Sequence, residues 1–203
     1  MKFRIWGVLL LLTAPVVALA QGGTPLPTPV IAIIDVDKIQ TESLAAKAVR
    51  TQADKYRQEF QQAGQTEEAA LRAQQQAIEQ QRKNNALSPD ALADKARSFD
   101  SSVADYQRKG LARRRAFEKS YGTAMAKVQQ AMIDATGKAA QAHGANVILP
   151  RGQVVLFDDK MDLTKEIIAQ MDKDLPTVDF PAPQIEGEAP PPPQAQPPQK
   201  KKN

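Results

Sequence analysis

The sequence predicts an α+β fold in which a small β-body carries a long antiparallel α-helical hairpin, a coiled-coil arm. Three observations carry that prediction. Residues 41–143 contain a single proline, Pro89, close to their middle. Around the step from Ser88 to Pro89 the large apolar residues mirror one another: Leu44 with Ile133, Val49 with Val128, Tyr56 with Tyr121, Phe60 with Phe117, Leu71 with Tyr106 and Ile78 with Phe99, the two numbers of each pair adding to 177. Short Val- and Ile-rich runs flank the stretch on both sides. A constant sum is what two antiparallel helices of equal rise require, because each step down one arm is matched by a step up the other.

The chain opens with the pattern of a secretory signal peptide. Lys2 and Arg4 supply a positive start, residues 5–12 an apolar core too short to span a bilayer stably, and Ala18, Leu19 and Ala20 an A-x-A cleavage site. Cleavage after Ala20 implies an exported protein. Residues 21–29, with three prolines, read as a linker. Residues 30–36 read as a buried strand, and Asp35 or Asp37 offers a cap for the helix after it. With no cysteine in the chain, disulfides and thiolate metal sites are unavailable, and stability must come from packing or assembly.

Residues 41–143 are rich in Ala, Gln, Arg, Lys and Glu, which favour helix. Their large apolar residues form only a narrow stripe, the seam of a coiled coil. Asn84, Asn85, Ser88 and Pro89 mark the turn, with Ser88 as N-cap and Pro89 at the first helical position. Gly144 is placed to end the second arm. Beyond it, residues 147–149 read as a second strand, Pro150, Arg151 and Gly152 as a turn, and residues 154–157 as a third strand. Asp162 or Thr164 then caps a short helix whose Leu163, Ile167, Ile168 and Met171 share a face. The body, residues 30–40 and 144–175, is too small to bury much surface alone. Ile31, Ile33, Val147, Ile148, Leu149 and Val155 are therefore expected to complete a core shared between subunits. Residues 176–203 hold nine of the fifteen prolines and read as a disordered, Pro-rich tail.

Charge divides along the same lines. Residues 41–143 carry 17 Lys and Arg against 12 Asp and Glu, whereas residues 30–40 and 144–175 together carry 5 against 8. Basic arms on an acidic base steer anionic partners toward the arms. The densest cluster is Arg108, Lys109, Arg113, Arg114 and Arg115, candidates for contact with an anionic lipid headgroup or an acidic chain, against the plainer reading of a solvated face. Gly64 and Gly110 stand within one turn of each other in the mirrored register and suggest a flexing level in the hairpin, against tolerated drift on exposed faces; each costs on the order of 1 kcal/mol relative to alanine. Catalysis finds no support. His143 stands alone at the end of an arm, Asp158, Asp159 and Asp162 lack the glycine and terminal glutamate of a calcium loop, and there is no phosphate-binding glycine loop or nucleophile motif. No cofactor or metal is expected.

The order of these segments resembles the Skp/OmpH family. The likeness covers residues 30–175: the opening strand with Ile31, Ala32, Ile33, Ile34, Asp35 and Val36, the long hairpin, then Ala145 to Leu149, residues 154–157, and the run Asp162, Leu163, Thr164, Lys165, Glu166, Ile167, Ile168. The Pro-rich tail is outside that pattern. The resemblance implies a homotrimer in which a β-body joins three subunits and three arms enclose an unfolded outer-membrane protein, with lipopolysaccharide or another anionic lipid as a further partner. The function it implies is that of an ATP-independent periplasmic holdase chaperone, not an enzyme. An exported coiled-coil spacer or adaptor is the alternative. The signal peptide argues against nucleic acid as a partner.

Overall fold

A computed structural model describes residues 26–185. The expected signal peptide, most of the linker and the end of the tail lie outside the described residues. Strand β1 (Ile31–Ile34) leads into a short helix α1 (Val36–Glu42), then α2 (Leu44–Lys83) and α3 (Pro89–His143) form the hairpin. Strand β2 (Val147–Pro150) follows, two single 3₁₀ turns come next, and α4 (Thr164–Asp174) closes the body. At about 1.5 Å per residue, α2 and α3 extend roughly 60 and 80 Å.

The whole hairpin is the crossover between two parallel strands. β1 and β2 pair with Ile31 opposite Val147 and Ile34 opposite Pro150. On the other side of β1, Ile33 bridges to Asp162, and its carbonyl accepts the Leu163 N–H at 3.0 Å. The third strand does not form. Residues 154–157 make no ladder, and Val155 and Leu156 are 104% and 89% exposed. A Val-Val-Leu-Phe run has strand propensity, but propensity needs a strand to pair with, and among the described residues these four pair with none. Val155 therefore stands outside the subunit's own core. Of the residues expected at a shared core, Ile33 is buried within the chain itself, Ile31 is exposed, and Val147, Ile148 and Leu149 are half-buried.

The helices start and stop where local chemistry directs. The Asp35 carboxylate accepts the Lys38 N–H at 2.9 Å. The first arm begins later than residue 41, because Ser43 breaks the chain into α1 and α2 with an extended backbone. Its buried hydroxyl accepts from the Ala46 N–H, and the Leu44 N–H donates to Asp172 at 2.7 Å. At the far end Asn84 caps α2, Asn85 takes a left-handed φ of 49°, and the Ser88 hydroxyl accepts from the Ala91 N–H just before Pro89. Gly144, at φ 64°, ends α3 as a left-handed cap. Asp162 accepts the Thr164 N–H at 2.9 Å. Burial pushes its carboxyl up, yet the bonds from Thr164 with the nearby Arg151 and Lys38 outweigh that and hold it below the usual range.

The core sits at the root of the hairpin. Ala32, Ile34 and Ile39 meet Ala45, Ala46, Val49, Ala53 and Tyr56 of α2, with Ala124, Val128, Ala135 and Ala139 of α3 and Leu163, Ile167 and Met171 from the α4 segment. Small residues dominate the facing helices there, which lets their backbones approach closely. The mirrored register survives at Val49 and Val128, both fully buried. It fails as a list of buried contacts at Leu44 and Ile133, which are 46% and 54% exposed while neighbouring alanines take the interface. The tail also begins differently from the expectation. Residues 176–185 are placed, with Val178 and Phe180 buried against the arm. These two side chains, with Pro183, which is also buried, anchor the segment.

Candidate functional site

Beyond the root the arm changes character. In α2 no residue after Tyr56 is buried, and in α3 none before Arg113. Between these levels the two helices border an open groove of about 850 Å³, lined by Phe60, Tyr106, Leu111 and Phe117 together with Arg57, Arg114 and both Gly64 and Gly110. Leu111 is largely exposed. Both helices run unbroken through the two glycines, and a Cβ at either would meet nothing within 4 Å. The glycines thus border the groove without being required for close approach.

The basic cluster is brought together but is largely neutralised locally. Arg108 pairs with Asp105 at 2.7 Å and Arg114 with Glu118 at 2.8 Å. Arg113 is nearly buried and grips Glu67 across the hairpin with two bonds of 2.8 and 3.0 Å; Lys109 reaches the same carboxylate at 3.4 Å. Arg113 therefore belongs to the interface between the arms. Of these five, Arg115 alone is exposed and has no ion pair among the described residues. In the constant-sum register residue 110 faces Glu67, and Lys109 and Arg113 bracket that position, so the ion pairs fix the same register independently of apolar packing. The hydrogen bonds from Arg113 lead the causes that hold the Glu67 carboxyl below its usual value, burial opposing them and Lys109 adding to them.

The segment after α4 was not legible as part of any site. Residues 178–180 lie along the root, where the Phe180 ring stacks on Tyr56 at 5.3 Å and tilts against Phe117 at 6.0 Å. The Gln52 side-chain amide donates to the Val178 carbonyl at 2.9 Å and accepts from the Phe180 N–H at 3.4 Å. The available signal was the alternation of Val178 and Phe180 inside a Pro-rich stretch. His143 lies in the last turn of α3, with Nε2 2.8 Å from the Glu166 carboxylate. Among the described residues no group of three or more His, Cys, Asp or Glu could hold a metal ion, and no helix is long and apolar enough to cross a membrane.

A strand pair closed by a long hairpin and followed by the Asp162 to Ile168 segment is a specific arrangement. The family model for outer membrane proteins of the OmpH-like type matches it over residues 30–171. The chain belongs to the OmpH-like family. Among solved structures, the OmpH-like chain is similar in fold to a proposed outer membrane chaperone, also OmpH-like, from Caulobacter crescentus CB15. That likeness has a TM-score of 0.72 at 24% identity and covers 83% of this chain and 98% of that one. No match was found among curated proteins.

Proposed function

We propose that this OmpH-like protein is an ATP-independent periplasmic holdase that encloses unfolded outer-membrane β-barrel chains between its arms and prevents their aggregation. The observation that carries the reading is the division of the hairpin. Its root is packed, its distal length is two helices with no buried residue, and an open apolar groove lies where the two regimes meet. Such a surface offers many weak contacts and few fixed pockets, so a client stays mobile and leaves without energy input. Unfolded barrel chains expose strand edges and alternating apolar residues that otherwise aggregate. Family membership and the Caulobacter fold likeness support the same role.

Assembly into a homotrimer through the body is part of this proposal. The exposed run around Val155 and Leu156 and the outer edge of β2, unpaired among the described residues, support it, since each is the kind of surface a second copy covers. The signal-peptide pattern of residues 1–20 supports the periplasmic location. Native mass measurement should give three copies. Substoichiometric to stoichiometric trimer should suppress aggregation of a denatured outer-membrane barrel protein as it is diluted from urea. No suppression by an intact trimer would leave a spacer or adaptor role instead. Capture of acidic clients should slow as salt rises, because the arms carry the basic excess; a flat dependence would remove electrostatic steering.

A further inference from the structure

After α4 the chain does not leave the molecule but runs in extended form along the root of the hairpin. Its side chains alternate: Val178 is 2% exposed, Asp179 is exposed, and Phe180 is 6% exposed. Period-two burial is the signature of a strand lying on a surface. The contacts that hold it have two parts. The Gln52 amide bonds the carbonyl of Val178 and the N–H of Phe180, the two groups flanking Asp179. One amide bonding those two groups reproduces a piece of a β-ladder, and it reads main chain without regard to sequence. The second part is an aromatic slot between Tyr56 and Phe117, which takes the Phe180 ring. Arg57 lies over the Phe117 ring, 5.1 Å from its centroid. Phe117 also borders the open groove, so slot and groove share a wall.

Nothing in this grip is particular to Val178, Asp179 and Phe180. It would hold any extended segment with an aromatic side chain in phase. The chain's own segment adds few main-chain donors: Pro176, Pro181 and Pro183 have no N–H, although they favour the extended form and Pro183 is itself buried. We propose that the Gln52, Tyr56 and Phe117 face is a binding site for extended peptide segments with alternating apolar and aromatic residues, and that residues 178–180 occupy it as a displaceable surrogate. The occupant we assign is a strand segment of an unfolded outer-membrane barrel chain, whose lipid-facing positions alternate in this way. The assignment of occupant rests on the holdase reading; the existence of the site does not.

The probe is a fluorescently labelled decapeptide of residues 176–185, titrated against the full-length protein by anisotropy. In the native chain the surrogate competes in cis. Phe180→Ala in the protein should empty the slot and tighten decapeptide binding by about tenfold or more, because apparent affinity scales with the fraction of open sites. Adding Gln52→Ala should abolish that gain, and a decapeptide with alanine in place of its phenylalanine should not bind. Equal affinity of the native and Phe180→Ala proteins overturns the site. A barrel strand peptide should compete; failure to compete overturns the assigned occupant. Should Phe180→Ala fail to fold, the native protein decides: a saturating barrel client should speed hydrogen exchange at the Phe180 amide, and unchanged protection overturns displacement. If the decapeptide binds while aggregation suppression fails, the holdase reading falls and the site stands. The reverse outcome removes the site and leaves the holdase.

Discussion

The root and the distal half of the hairpin are built from the same two helices, yet they are held together by different physics. At the root, alanines and Val49 and Val128 are packed with no solvent between them, backed by α4 and the 178–180 segment. Further out, large residues such as Leu71, Ile78, Phe99 and Tyr106 are only half-buried, and the cross-links are ionic, Glu67 with Arg113 and Lys109. Tight apolar packing gives a fixed geometry, because interiors tolerate little rearrangement. Exposed helix pairs with few buried contacts open locally at low free energy. A rigid base with compliant arms is the division of labour that the proposed holdase needs.

The comparison is broken most readily at the base. Ile167 is fully buried in the core beneath the hairpin, and Ile167→Ala should cost about 3 kcal/mol through lost burial and the cavity left behind. Leu71→Ala, halfway along the arm, should cost less than about 1 kcal/mol, because much of the side chain is already in water. Thermal unfolding followed by circular dichroism measures both. Equal losses at the two positions would mean that the arm packs as tightly as the root.

The ionic cross-link should give an intermediate effect. Glu67→Gln keeps the shape but leaves the nearly buried Arg113 facing a neutral amide, at a cost of about 1.5 kcal/mol. Because the folded Glu67 carboxyl is held below its ordinary value of 4.5, its contribution is complete above that value. It is lost as pH falls through the lower folded value. At neutral pH the clamp should therefore be insensitive to pH, and acidification below the ordinary carboxylate range should loosen the native arm while leaving Glu67→Gln unaffected. Site-specific hydrogen exchange near Gly110 reads this directly; loosening of both proteins to the same extent would assign the acid response elsewhere.

How much of this was legible follows from the length scale of each signal. Helix caps are local chemistry, so Ser88, Pro89 and Gly144 could be read from a few residues each, and Asp35 as one of two candidates with Asp37. The hairpin register was legible because its two arms repeat one spacing over tens of residues, and a single proline breaks them. Burial within that register was not, because the reading weighed large side chains and the close approach at the root is made by alanines. Residues 154–157 have the composition of a strand but pair with no strand among the described residues, a fact no local pattern contains. The placement of Val178 and Phe180 depends on Gln52, Tyr56 and Phe117, far away along the chain and outweighed in composition by the prolines. The basic cluster was visible as charge, but the partners Glu67, Asp105 and Glu118 that neutralise most of it become neighbours only once the helices form.

A stabilising change tests the compliance of the arms themselves. Gly64 and Gly110 lie in uninterrupted helices, border the groove, and have open space where a methyl would go. Replacing both by alanine therefore adds no clash and should stabilise the protein by about 2 kcal/mol for the pair, by narrowing the unfolded ensemble and favouring helix. If the two glycines form a flexing level, the same change should also narrow the distribution of arm spread in small-angle scattering and shorten the range of client sizes held. A gain in stability with unchanged spread would separate the two consequences. The glycines would then be tolerated surface residues, and the freedom of the arms would come instead from the sparse packing beyond Tyr56, which no glycine controls.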